Sequence, residues 1–258
     1  MQHSPSGGRD RLDRTLVNRG LVTSREEAGR LILAGMVRVD GCVVDKQAKL
    51  ISPGADVQIV RRLSQYVSRG GEKLGPALDR FKVNPVGKIA MDVGCSTGGF
   101  TDCLLQRGAE RVYAVDVGYG QFDWRLRNDP RVVLLERTNI RYLSSSAIAD
   151  PIDLAVIDVS FISLTLVLPC VMSFLGNQAT IVALVKPQFE VGKGRVGRGG
   201  VVRDEELRAE VMQKISECAH ALGLMVVDKM DSPICGRKGN REALMVFHRR
   251  NDALTLSS

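Results

Sequence analysis

Asp92-Val93-Gly94-Cys95-Ser96-Thr97-Gly98-Gly99-Phe100 lies between an apolar, strand-like run at 88–93 and a helix-like run at 99–107. A chain that leaves a sheet here, passes close to a ligand and enters a helix needs residues without side chains, which is the reading of Gly94, Gly98 and Gly99. Ligands of such sheets lie beyond the carboxyl ends of the strands. The next strand-like run, 111–116, ends in Asp116, an acid 24 positions after Asp92 and placed to accept hydrogen bonds from ribose hydroxyls. A nucleoside-containing cofactor is implied. The dinucleotide pattern G-x-G-x-x-G is broken at Ser96, where backbone must come nearest a pyrophosphate. Asp92 would repel a pyrophosphate but can hold an ammonium, such as that of the methionine part of S-adenosylmethionine.

Outward from this turn, strands are expected at 88–93, 111–116, 131–135, 152–158, 180–185, 224–230 and 242–248, and helices near 73–81, 99–107, 122–128, 162–175 and 204–222. Strands alternating with helices predict an α/β fold, a mostly parallel seven-stranded sheet covered on both faces. Asp158, Lys186 and Glu242 sit at the edges of runs that read as buried strands, and Lys73 lies just upstream of the turn. A charge in such a place is costly unless it is paired or used, so these residues predict an active site along one rim of the sheet. The Gly-rich run 192–200 has no P-loop pattern and reads, with Lys193, Arg195 and Arg198, as a basic loop.

The formal charge of +7 is unevenly spread: residues 1–82 hold 15 Lys/Arg against 9 Asp/Glu, and residues 83–258 hold 21 against 20. A basic module beside a near-neutral one suggests that the first binds a polyanion and the second does something else. In the first, a helix over 11–18 stops at Gly20; a second begins with Ser24 as N-cap and Glu27 completing a capping box; and 37–39 and 43–44, joined by Asp40-Gly41, read as a hairpin. Six cysteines without a C-x-x-C pair, and three histidines, argue against a metal site. No signal peptide or run of about 18 apolar residues is present, so a cytoplasmic protein with reduced thiols and no membrane partner is expected.

The helix, helix, hairpin series, with "RLDRTLVNRGLVTSREEAGRLILAGMVRVDG" as its core, resembles an S4 RNA-binding domain. Arg9, Arg11, Arg14, Arg25, Arg30 and Arg38 fall on or around its helices, where they would follow a phosphate backbone. Residues 67–258 resemble an FtsJ-type ribose 2'-O-methyltransferase, and the whole chain resembles the TlyA family, often labelled hemolysin A. The runs that carry this are "SRGGEKL" at 68–74, "DVGCSTGGFTDCLLQRGA" at 92–109, "AVDVGYGQ" at 114–121, "RTNIR" at 137–141, "DVSFISL" at 158–164, "KPQFEVGKG" at 186–194 and "GNREALMVF" at 239–247. The resemblance implies a catalytic tetrad of Lys73, Asp158, Lys186 and Glu242. It places S-adenosylmethionine on Gly94, Ser96, Gly98 and Phe100 of the turn, on Asp116, and on Asn139, which stands where FtsJ proteins tend to carry Asp. The reaction it implies is methyl transfer to a ribose 2'-hydroxyl of ribosomal RNA. Two other readings are a membrane-active hemolysin and a non-catalytic RNA-binding or ribosome-assembly factor. The expected organisation is a flexible N-terminus (1–8), an S4-like domain (9–62), a linker (63–70), the methyltransferase domain (71–250) and a tail (251–258).

Overall fold

The computed structural model describes residues 9–33, 35–44, 46–60, 65–192, 194–236 and 239–249, with only the backbone of residue 198. Expectations about segments 1–8 and 251–258, and about the first residues of the linker, lie outside these. The chain divides into two compact units, one of residues 1–63 with 234–239, the other of 64–233 with 240–258.

The first unit runs β1 (Asp10–Arg11), α1 (Leu12–Asn18), α2 (Arg25–Leu33), β2 (Val37–Val39), β3 (Cys42–Val43), β4 (Leu50–Ile51) and β5 (Val57–Ile59). Leu12 and Leu16 of α1 and Ala28 and Ile32 of α2 meet Val37 and Val57 in one core, the face that the helical spacing of these residues requires. Ser24 Oγ accepts from Glu27 N at 3.1 Å, but the Glu27 carboxylate reaches back to Thr23 N at 2.9 Å, one residue before the expected box partner. Cys42 and Cys235 form a disulfide across 193 residues of sequence. This corrects the expectation of reduced thiols for these two. No short spacing could signal a pair so far apart, whereas Cys95, Cys103, Cys170 and Cys218 are free.

The second unit runs α3 (Arg69–Arg80), β6 (Ile89–Val93), α4 (Gly99–Gln106), β7 (Arg111–Val115), α5 (Trp124–Arg127), β8 (Val132–Leu135), β9 (Ile152–Ile157), α6 (Leu164–Val171), β10 (Leu175–Val185), α7 (Pro187–Glu190), α8 (Glu205–Ala221), β11 (Leu224–Asp231) and β12 (Ala243–Arg249). The seven strands form one sheet in the order β11-β12-β10-β9-β6-β7-β8. Its β10, β9, β6, β7 and β8 are mutually parallel, and β12 runs antiparallel to both β10 and β11. The order reverses at β6 and β9, so a crevice opens beyond their carboxyl ends. Two apolar cores, one per face, include Met91, Ile157 and Leu168 on one side and Leu74, Leu104 and Val156 on the other.

Helix α3 begins four residues before the expected 73 because Gly70 and Gly71 hide it: glycine is a poor helix former in isolation. Tertiary packing overrides that propensity. The Tyr66 ring lies against Gly71 so closely that no Cβ fits there. The strand expected at 180–185 starts at Leu175, with a register shift before Thr180.

Candidate active site

Gly94 follows β6 directly with φ +86°, a conformation that favours glycine. A Cβ at Gly94 would stand 2.7 Å from the Asp158 carbonyl oxygen, so the turn can pass β9 only where a side chain is missing. Register then brings the rim together. Val93 and Ala183 both flank Ile157, and Val185 pairs with Ala243. The residues next beyond these are Gly94, Asp158, Lys186 and Glu242.

The four tetrad residues form two ion pairs. Lys73 Nζ donates to Glu242 Oε2 at 2.7 Å, with Lys73 9% and Glu242 3% exposed. Lys186 Nζ lies 2.5 Å from Asp158 Oδ1, a charge contact without hydrogen-bond alignment, and donates to Ser160 Oγ at 3.0 Å. Lys73 comes from α3, whose early start carries it to the rim. Lys186 caps α7 at the end of β10.

A cleft of about 770 Å³ opens beside Asp158 of the second pair, a size suited to a nucleoside cofactor. Gly94, Ser96, Asp116, Asn139 and Asp158 border it; Lys186 contacts Asp158 and Ser160 of its wall, and Lys73, Lys186 and Glu242 do not line it. Asp116 accepts from Ser96 N at 2.7 Å and Gly118 N at 2.6 Å, one oxygen each, which fixes the carboxylate plane at the cleft. Asn139 Oδ1 accepts from Arg141 N at 3.1 Å. The remaining turn residues are set back from the cleft. Gly98 faces Leu126 and Phe122, Phe100 packs in the core with Leu74 and Leu104, and Asp92 is fully buried.

Asp92 Oδ2 accepts from Thr101 N at 2.9 Å and Thr101 Oγ1 at 2.7 Å, which ties β6 to the start of α4, while Oδ1 has no hydrogen-bond partner. Burial, opposed by the Thr101 hydroxyl and reinforced by the nearby Asp158 charge, pushes its carboxyl up to about 7. The folded value stands above the ordinary 3.8, so the stability consequence has a definite sign. Below about pH 4 the group is protonated folded and unfolded alike. From about pH 4 to 7 the unfolded chain loses the proton that the folded protein keeps, and stability falls; above that the cost is constant. Asp92→Asn removes this slope. Relative to wild type, its stability by urea unfolding is expected to rise on the order of 4 kcal/mol between pH 4 and 7.5, and an equal difference at both ends would refute the assignment.

Several rim residues were not singled out from sequence, although they lie inside or beside the quoted motifs. Ser160 and Phe161 follow Asp158, and Phe161 is 90% exposed with φ +65°, a rare conformation for an aromatic residue. Its ring meets that of Phe189, centroids 4.9 Å apart. The Arg137 guanidinium stacks over the exposed Tyr119 ring at 4.0 Å. No motif template flags these residues, because their meaning comes from exposure at the rim.

In the first unit, Arg11 and Arg25 converge on the buried carboxylate of Asp13, at 3.0 and 2.7 Å, and hold it far below the usual carboxylate range. Arg14 lies 3.8 Å from Asp10. Arg9 and Arg30 are exposed, and Arg38 is half-buried on β2. In the basic loop, Lys193 is outside the described residues, and Arg195 pairs with Glu210 at 2.7 Å. Among the described residues no cluster of His, Cys, Asp and Glu is suited to a metal ion, and no helix is long and apolar enough to cross a membrane.

A mostly parallel seven-stranded sheet with a glycine turn, an acid just beyond the neighbouring strand and paired lysines and carboxylates at its rim fits a methyltransferase, and residues 66–249 match the family model for FtsJ-like methyltransferases. Residues 10–57 match the S4 domain. The chain belongs to the TlyA family. It is 49% identical, over 95% of its length and 91% of the relative's, to the 16S/23S rRNA (cytidine-2'-O)-methyltransferase TlyA of Mycobacterium tuberculosis. It is 42% identical to Hemolysin A of Brachyspira hyodysenteriae, over 92% of this chain and 99% of that one. A solved structure from Streptococcus thermophilus, assigned to the hemolysins, superposes with a TM-score of 0.74 at 39% identity, covering 97% of this chain and 93% of that one.

Proposed function

We propose that this protein methylates a ribose 2'-hydroxyl of ribosomal RNA with S-adenosylmethionine as donor. The observation that carries the reading is the pairing of two lysines with two carboxylates at the sheet rim, one pair reaching through Asp158 into the cleft that Gly94 borders. The names of the relatives, rRNA methyltransferases among them, agree with it.

The residues around the cleft fit the cofactor. Asp116, its carboxylate already oriented by two N–H groups, accepts from ribose hydroxyls, and Ser96 and Asn139 border the nucleoside, whereas Asp92, buried on Thr101, holds the turn and does not reach the cleft. Gly98 and Phe100 shape the turn from behind. S-adenosylmethionine, when bound, supplies a methyl group on a sulfonium sulfur.

A ribose hydroxyl is a weak nucleophile near neutral pH and has to be brought in line and relieved of its proton. Lys186 Nζ, held by Asp158 and Ser160, is assigned as the proton acceptor in its neutral amine form, which requires that the ammonium first release a proton to solvent. Lys73 and Glu242, the second ion pair at the rim, are assigned to orient the hydroxyl; the two carboxylates favour the cationic donor. Positioning of this kind supplies on the order of 7 kcal/mol. RNA is gripped by the S4 unit through Arg9, Arg14, Arg30 and Arg38, and through the outward N–H groups of Arg11 and Arg25.

The test is transfer of labelled methyl from S-adenosylmethionine to ribosomal RNA from cells lacking this protein, with the modified ribose mapped by mass spectrometry. One or more 2'-O-methylated nucleotides are expected. RNA binding without methyl transfer would favour an assembly factor, and lysis of lipid vesicles by the pure protein would favour a hemolysin.

A further inference from the structure

Glu190 is a buried acid, its side chain 2% exposed, that the reaction above does not use. It ends α7, four residues after Lys186, inside the "KPQFEVGKG" run. Its Oε2 accepts from Ser163 Oγ at 2.5 Å and its Oε1 from Leu164 N at 2.8 Å. Ser163 is the N-cap of α6, so the carboxylate closes the first turn of a helix, where backbone N–H groups lack internal partners and negative charge is favoured. Lys214 Nζ hydrogen-bonds the Glu190 carbonyl at 3.1 Å and lies 4.0 Å from Oε2, which fixes the end of α7 from the other side.

These contacts belong to a larger pattern. Segment 158–164 and segment 186–190 are laced together at three levels: Asp158 and Ser160 to Lys186, Phe161 to Phe189, and Ser163 with Leu164 to Glu190. The middle level includes Phe161 in a left-handed conformation, which persists only where its surroundings over-determine it. The far lacing is the one with buried, charge-assisted hydrogen bonds. The near one carries the reacting amine.

We infer that Glu190 is a positioning residue for methyl transfer: by clasping Ser163 and Leu164 it holds the 158–163 turn so that Asp158 and Ser160 meet Lys186 Nζ. Without the clasp the turn can slide along α7, and the amine loses the partners that aim it. A displacement of about 1 Å at a reacting group can cost up to roughly a hundredfold in rate. This rests on Lys186 acting in the proposed reaction.

The test compares kcat and both KM values for wild type, Glu190→Ala, Glu190→Gln and Lys186→Ala in the full-length protein, with rates normalised to the fraction of molecules that bind cofactor. Glu190→Ala is expected to lower kcat about tenfold or more with both KM values little changed, and Glu190→Gln, which keeps an acceptor for Leu164 N, to recover most of the loss. If Glu190→Ala fails to fold, Ser163→Ala, which leaves the Leu164 bond in place, is read by the same split and is expected to lower kcat severalfold. Normalised kcat equal to wild type, or a loss confined to KM, overturns the inference. Full activity in Lys186→Ala overturns the parent reading instead.

Discussion

Lys186→Ala is expected to lower methyl transfer to ribosomal RNA by about 10²–10⁴-fold, the usual share of a general base, while cofactor and RNA still bind. The amine stands at the end of β10, 9% exposed, with Asp158 Oδ1 at 2.5 Å and Ser160 Oγ at 3.0 Å. Neither neighbour replaces it in full: the carboxylate of Asp158, freed of its lysine, is a weaker base than an amine, and a serine hydroxyl is a poor proton acceptor. Lys186→Arg separates charge from base strength, since a guanidinium keeps the ion pair but does not give up its proton in a protein. It is expected to be nearly as inactive as the alanine variant. Wild-type turnover in either variant removes the proposed mechanism, and turnover in the arginine variant alone would reassign Lys186 to charge placement.

Glu242→Ala should produce the largest loss of stability. It strands the Lys73 ammonium in a site only 9% exposed, and removal of one partner from a buried ion pair costs about 3–5 kcal/mol. For a unit of this size that is a fall in melting temperature on the order of 10 °C. The double variant Lys73→Met, Glu242→Leu buries apolar groups in place of the pair and is expected to regain most of the melting temperature while remaining inactive. Such a split would show that the pair is kept for chemistry. A Glu242→Ala protein that melts with wild type would mean that Lys73 finds another partner or turns to solvent.

Much of this was legible in the residues. The alternation of β-branched runs with helical stripes sets the α/β class, because strand and helix have different periods and a parallel sheet needs helices as crossovers. The glycine turn points to the rim where a ligand is proposed to lie, and the isolated charges at strand ends mark the proposed site of chemistry. Less legible were features created by packing. Gly70 reads as the end of the linker and Gly71 lies ahead of the expected helix, yet both are helical, with Phe100 against Gly70 and Tyr66 against Gly71 in the space that side chains would fill. Asp92 reads as an acid facing the ligand, yet its carboxyl lies wholly within the fold on Thr101. The Cys42–Cys235 bond has no local signature.

Sequence by itself determined which residue types stand at the ends of which strands, since hydrophobic period and turn chemistry are local properties. Tertiary structure alone decided who meets whom: Lys73 with Glu242 across 169 positions, Lys186 with Asp158 and Ser160, and Glu190 with the start of α6. Those meetings follow from strand order and register, which place the carboxyl ends of β6, β9 and β10 side by side with the start of β12. A linear chain carries no such neighbour relation until the sheet is assembled.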